Sequence, residues 1–153
     1  PISDQEFYQA MPYIYLNQTD EAIVYLENVI DNHKTGTWVL ISKAYLSLLK
    51  GDLINGLDHV SSLEKMGITD SEMKYRLVHF YVMLNDETKA LNSLEKAIDA
   101  GFFNHSYIES DPLTKSIHNN PRFKQIVDKS KLRHELYDRR FGSEIRSLLG
   151  ISS

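Results

Sequence analysis

The chain has 153 residues, of which 42% are hydrophobic and 25% charged, and its formal net charge is −4. This is the make-up of one soluble globular domain, and the charge gives no general reason to expect nucleic acid. The absence of cysteine excludes disulfides, thiol nucleophiles and thiolate metal sites together.

No run approaches the roughly 20 apolar residues of a membrane span, so no membrane span is expected. The compartment stays open, with the cytoplasm favoured. The chain begins at Pro1 without a charged or apolar leader, which we read as a fragment or processed product of a larger protein. Charge is uneven along it: residues 1–110 carry 8 Lys/Arg against 16 Asp/Glu, net −8, and residues 111–153 carry 9 against 5, net +4.

In chain order, the first predicted helix spans Ser3 to Leu16, with Ser3 and Glu6 at capping-box spacing. Pro12 lies inside it and should kink or split it, because proline removes a backbone donor. A second amphipathic segment, Thr19 to Asp31, follows. Next come Thr37 to Lys50, with the apolar stripe Leu40, Ile41, Ala44, Tyr45 and Leu48, and then Gly51 to Lys65. Thr69 to Leu84 opens with Thr69 and Glu72, again at capping-box spacing, and Leu84 to Asp99 completes the set. Gly67 and Gly101 are predicted helix stops.

Three of these segments are copies. Small residues fall at Ala22, Gly56 and Ala90, 34 apart; apolar residues follow in the same register at Leu26, Val60 and Leu94, then at Val29, Leu63 and Ala97. Positions four and seven after the small residue share one helical face, so each copy reads as the second helix of a pair. The unit is helix, tight turn, helix, over about residues 3–36, 37–68 and 69–102.

The 34-residue period, the aromatic nine before the small residue (Tyr13 to Ala22, Tyr81 to Ala90) and the large apolar residue four after it resemble the tetratricopeptide repeat family. The middle copy departs from the pattern. Its aromatic, Tyr45, stands eleven before Gly56, and Gly51 is read as two residues late, which predicts a longer first helix or a distorted turn. The resemblance implies an all-α superhelical solenoid of three helix pairs, one domain over 1–153, with its concave groove lined by the first helices. Carried over by register, the groove positions are Asp4, Phe7, Met11, Ile14 and Tyr15 in the first pair and Glu72, Tyr75, His79, Val82 and Met83 in the third. Val39, Lys43 and Leu46 stand for the second. The subgroup that clamps a chaperone's C-terminal carboxylate has Lys and Asn where this chain has Phe7, Met11, Tyr75 and His79, which speaks against that role.

After Gly101 the sequence period fails. The segment that follows looks like the closing segment found after bacterial arrays of this family, with capping helices over about 104–149. Ser110 or Asp111 before Pro112, and Asn120 before Pro121, are cap-then-proline starts. They predict a short helix to about His118 and a long one to about Arg140. A stack of helix pairs leaves an apolar end that must be covered. Phe102, Phe103, Tyr107, Ile108, Leu113, Ile117, Phe123, Ile126 and Val127 suit that task. Ser143 to Leu149 is a further amphipathic piece, a candidate contact for a second copy.

Chemistry-bearing motifs are absent. The six histidines, His33, His59, His79, His105, His118 and His134, lack a second histidine at ligand spacing, and solvated or capping roles suit them better than metal. The scattered glycines form no phosphate loop. Asn17 and Asn104 match glycosylation sequons by chance. Neither catalysis nor a cofactor is expected. The basic stretch Arg122, Lys124, Lys129, Lys131, Arg133, Arg139, Arg140 and Arg146 is interleaved with Asp128, Glu135, Asp138 and Glu144. It can meet phosphates of nucleic acid or lipid, or an acidic segment of its own array or of a neighbour.

The reading is a non-catalytic interaction module of a larger bacterial regulatory or signalling protein. It binds a protein or peptide in a groove built on Phe7, Met11, Tyr15, Lys43, Tyr75, His79 and Met83. The alternatives are a nucleic-acid accessory domain using the basic helix and a self-association module.

Overall fold

The computed structural model describes residues 2–148, with the backbone alone for residues 2 and 143–148. These residues form α1 (Ile2–Tyr15), α2 (Thr19–Asn32), α3 (Thr37–Leu49), α4 (Leu53–Lys65), α5 (Ser71–Met83), α6 (Glu87–Asp99), α7 (His105–Ser110), a 3₁₀ helix (Pro112–Ile117) and α8 (Pro121–Leu148), with no strand among them. The helices pack in adjacent pairs, α1 on α2, α3 on α4 and α5 on α6. Between pairs, α2 packs on α3, and α1, α3 and α5 touch in succession.

The turn inside each pair is the same motif. Asn17, Gly51 and Asn85 have φ of 56°, 75° and 56°. The next amide bonds back to the carbonyl five residues earlier, Gln18 to Tyr13, Asp52 to Ser47 and Asp86 to Tyr81. This is a left-handed helix end that satisfies the last carbonyls. The three residues are 34 apart, so Gly51 stands in register and α3, at 13 residues, is not lengthened. Ser47 occupies the expected aromatic position, and Tyr45 belongs to another row.

α1 is one helix with Pro12 inside it. Pro12 is exposed, so the carbonyl that loses its partner lies where water can replace it. The start of α5 also differs from expectation. Asp70 is the cap, its Oδ1 accepting the Met73 N–H at 2.9 Å, and Glu72 is left for tertiary contacts. Gly67 and Gly101 both take positive φ, 63° and 111°, as expected of helix stops.

Element boundaries carry the period beyond Gly101. Helices start at Thr37, Ser71 and His105, and at Leu53, Glu87 and Pro121, in each case 34 apart. Residues 105–117 therefore occupy the place of a fourth first helix, broken at Asp111–Pro112, and α8 that of a fourth second helix. Side-chain matching misses this because α8 buries Phe123, Ile126, Val127 and Ser130, one residue out of register with Ala90, Leu94 and Ala97. The cap positions hold: Asp111 Oδ1 accepts from Leu113 N–H at 2.9 Å, and Asn120 Oδ1 from Arg122 N–H at 2.8 Å. α8 runs unbroken to Leu148 rather than ending near Arg140. The side chains of the expected Ser143 to Leu149 piece lie outside the described residues.

Candidate functional site

The period sets up three rows across α1, α3 and α5: Phe7, Ile41 and Tyr75; Met11, Tyr45 and His79; Tyr8, Ser42 and Arg76. The first two rows are buried throughout, none of the six more than 4% exposed. In the third row the small Ser42 leaves room for Arg76 to reach back to α1. Its guanidinium lies 5.9 Å from the Phe7 ring centroid and 5.8 Å from that of Tyr8. Nη2 donates to Glu72 at 2.8 Å and Nη1 to the Tyr15 hydroxyl at 3.4 Å, while Nε is buried without a hydrogen-bond partner.

These reaches bring the two ends of the array together. The Tyr8 hydroxyl donates to Glu72 at 2.5 Å, and the hydroxyls of Tyr15 and Tyr107 are hydrogen-bonded. Burial and the Glu72 carboxylate push the Tyr8 phenol up to about 12. Burial also raises Tyr107, helped by its bond to Tyr15. Beside these contacts lies an open pocket of about 360 Å³, walled by Tyr8, Met11, Tyr15, Glu72, Tyr75, Arg76, Phe102, Asn104 and Tyr107.

Behind the pocket lies a buried polar chain. Asp111 Oδ2 is 2.6 Å from His79 Nε2 and accepts from the Tyr75 hydroxyl at 2.9 Å; His79 Nδ1 is 2.6 Å from the Tyr45 hydroxyl. Burial holds the His79 pKa below its ordinary value despite the adjacent carboxylate. Burial works to raise Asp111, but hydrogen bonds from His79, Leu113 N–H and Tyr75 outweigh it and hold it below the carboxylate range. The consistent assignment is ionised Asp111 accepting from Nε2–H of a neutral imidazole whose Nδ1 accepts the Tyr45 proton. Carboxylate, imidazole and hydroxyl stand in the order of a nucleophilic triad. Tyr45 and His79 are 0% exposed and Asp111 2%, so in this arrangement the hydroxyl is closed to solvent.

The groove set is divided by this geometry. Phe7, Met11, Tyr75 and His79 are interior; only Met11 and Tyr75 border the pocket, with Tyr15. His79 is thus a buried, doubly bonded histidine rather than a solvated one. Met83 and Lys43 are half-buried and outside the pocket. Lys43 falls in register with Gln9 and Leu77, not with the groove rows, because the middle turn is not shifted. Tyr8, Arg76, Tyr107 and Asp111 did not figure among the groove positions. A strict 34-residue offset from Tyr8 through Ser42 marks Arg76; local signals mark Asp111 only as a cap and Tyr107 only as an apolar cover, and none marks Tyr8.

The basic stretch is largely spent on the chain's own acids. Arg122 pairs with Glu95 at 2.9 Å, Lys129 with Asp99 at 2.8 Å, Lys131 with Glu109 at 2.7 Å and Arg133 with Asp99 at 2.9 Å. Lys124 is exposed, Arg139 lies 3.8 Å from Glu135, and Arg140 lies over Phe141. The Arg146 side chain is outside the described residues.

The His105 and His134 rings approach to 5.7 Å, but among the described residues no group of three or more His, Asp or Glu is placed to hold a metal ion. No helix among them is long and apolar enough to cross a membrane. In comparisons with known proteins, no family model matches the chain, and neither a curated protein nor a solved structure matches it.

Proposed function

We propose that the chain is a tetratricopeptide-type array acting as a non-catalytic interaction module. Its ligand is a protein or peptide segment that inserts a side chain into the pocket between α1, α5 and α7. The repeated turn and the 34-residue spacing of helix starts support the family reading. The observation that carries the binding reading is the pocket itself: aromatic walls with one buried guanidinium whose hydrogen-bonding capacity is underused. Aromatic and methionine walls suit an apolar anchor, and the polar groups at Glu72, Arg76 and Asn104 fix its orientation. A pocket of about 360 Å³ holds one or two residues of the partner rather than an extended peptide.

Peptides selected from a random library on the intact protein test this. Trp38, the one tryptophan, packs 5.5 Å from the Tyr8 ring and reports occupancy by fluorescence. Tyr8→Ala and Asn104→Asp, both at positions open to solvent, are expected to weaken binding about tenfold or more while the helical signal is kept. Selected peptides that bind both variants as they bind the parent protein would overturn the pocket assignment.

A further inference from the structure

We propose that the projecting half of α8 docks on the outer faces of α2 and α4 of a second copy of this chain. The first half of α8 is held down by Phe123, Ile126 and Val127 and by ion pairs of Arg122, Lys129, Lys131 and Arg133 to Glu95, Asp99 and Glu109. From His134 to Arg140 every residue is exposed. Leu132 and Leu136, 56% and 54% exposed, stand one turn apart on a single stripe, with Arg139 one turn beyond and Arg140 beside it. The projecting half therefore repeats apolar residues flanked by cations, with His134 and Tyr137 against the rings of His105 and Phe103 and, among the described residues, no acidic helix beneath Arg139 and Arg140. A continuous helix of 28 residues, about 42 Å long, cannot turn back to bring that stripe onto its own N-terminal half.

The complementary surface exists on the same chain. α2 exposes Asp20, Glu21, Val24 and Asp31, with Val24 at 55%. α4 exposes Leu53, Ile54, Leu57 and Asp58, with Ile54 at 84%. Asp20, Glu21, Asp31 and Asp58 make no ion pair among the described residues. Residues 2–65 carry 4 Lys/Arg against 9 Asp/Glu, while residues 121–148 carry 8 against 4. Opposite charge of this kind steers the two surfaces together and fixes register, and the leucine stripe against Val24, Ile54 and Leu57 supplies the dry contact. An interface of this extent is at the small end for specific complexes, so micromolar affinity and strong salt dependence follow.

Light scattering on the intact chain from about 1 to about 500 µM, at about 0.05 and about 0.5 M salt, reads the outcome. At low salt the mass is expected to rise with concentration from the 17.7 kDa monomer and to fall back at high salt. Arg139→Glu with Arg140→Glu, and separately Asp20→Lys with Glu21→Lys, should each leave a monomer. Mixing the two reversed proteins should restore association about tenfold above either alone, a rescue that misfolding cannot give. A monomer at every concentration overturns the proposal, as does association that the reversals leave unchanged. Arg139 and Arg140 affecting only retention of duplex DNA, with no change in mass, would also overturn it and assign the surface to nucleic acid.

Discussion

His79 is held by two hydrogen-bond partners, Tyr45 of α3 and Asp111 at the start of the 3₁₀ helix, and its cost of burial is met only while both are in place. Replacing it by Gln leaves the Tyr45 hydroxyl or the Asp111 carboxylate unmatched and should cost about 3 kcal/mol in denaturant unfolding. The pH dependence follows in sign. The folded His79 pKa is depressed, so below about pH 6.5 the unfolded chain takes up a proton that the folded chain refuses, and stability falls as pH drops. Above that pH this contribution is flat. Asp111, also depressed, contributes stability above its unfolded value of about 3.9 that is lost on further acidification. His118 is lowered by burial and adds to the first slope. The parent protein should therefore lose more stability per pH unit than His79→Gln, the difference approaching about 1.4 kcal/mol per unit from about one pH unit below 6.5. Parallel stability curves for the two proteins would refute the neutral assignment.

Helix pairing turns on the small residue of each second helix. At Gly56 an added Cβ would lie 2.4 Å from Leu48 Cδ2 and 2.8 Å from Cγ, closer than atoms can approach. Ala22 and Ala90 hold the equivalent place in the outer pairs and are fully buried there. Gly56→Ala gains up to about 1 kcal/mol of helix propensity but meets overpacking of about 1–3 kcal/mol, so a net loss of stability is expected. Leu48→Ala in the same chain should cancel the clash, giving a coupling energy of opposite sign to the single losses in a double-mutant cycle. Strict additivity would mean that the middle pair relaxes without touching Leu48.

Across the whole molecule, contacts between units distant in sequence set the cooperativity. A linear array whose units touch only their neighbours opens from its ends. Here Tyr15 of α1 meets Tyr107 of α7, and Tyr8 meets Glu72, which ties the first unit to the third and fourth. α1 and α7 should accordingly share one opening free energy in native-state hydrogen exchange. Tyr15→Ala should lower protection in both helices together while α4 and α6 change little. Loss confined to α1 would show that the two ends open independently.

Much of the fold was legible. The positions Ala22, Gly56 and Ala90 located the pairs, and the cap-then-proline signals at Asp111 and Asn120 located the last two starts, because such features depend on a few neighbouring residues. The middle turn follows Gly51 rather than the aromatic Tyr45, because the backbone requirement for positive φ is the stricter marker. Of the site, the expected positions Phe7, Met11, Tyr75 and His79 stand in two rows whose middle members, Ile41 and Tyr45, are not the expected Val39, Lys43 and Leu46, and the burial of these rows depends on how the pairs stack.

By itself the sequence determined the all-helical pairs, their turns and the 34-residue spacing, since these follow from local periodicity, capping and the left-handed tolerance of Gly and Asn. Only the tertiary structure decided that α1 meets α5 and α7. Arg76 reaches over Ser42 to α1, Tyr15 meets a residue 92 positions away, and the break at Asp111–Pro112 turns a carboxylate onto His79. Each depends on how the pairs stack in space, a sum of packing contacts that no short stretch of sequence encodes.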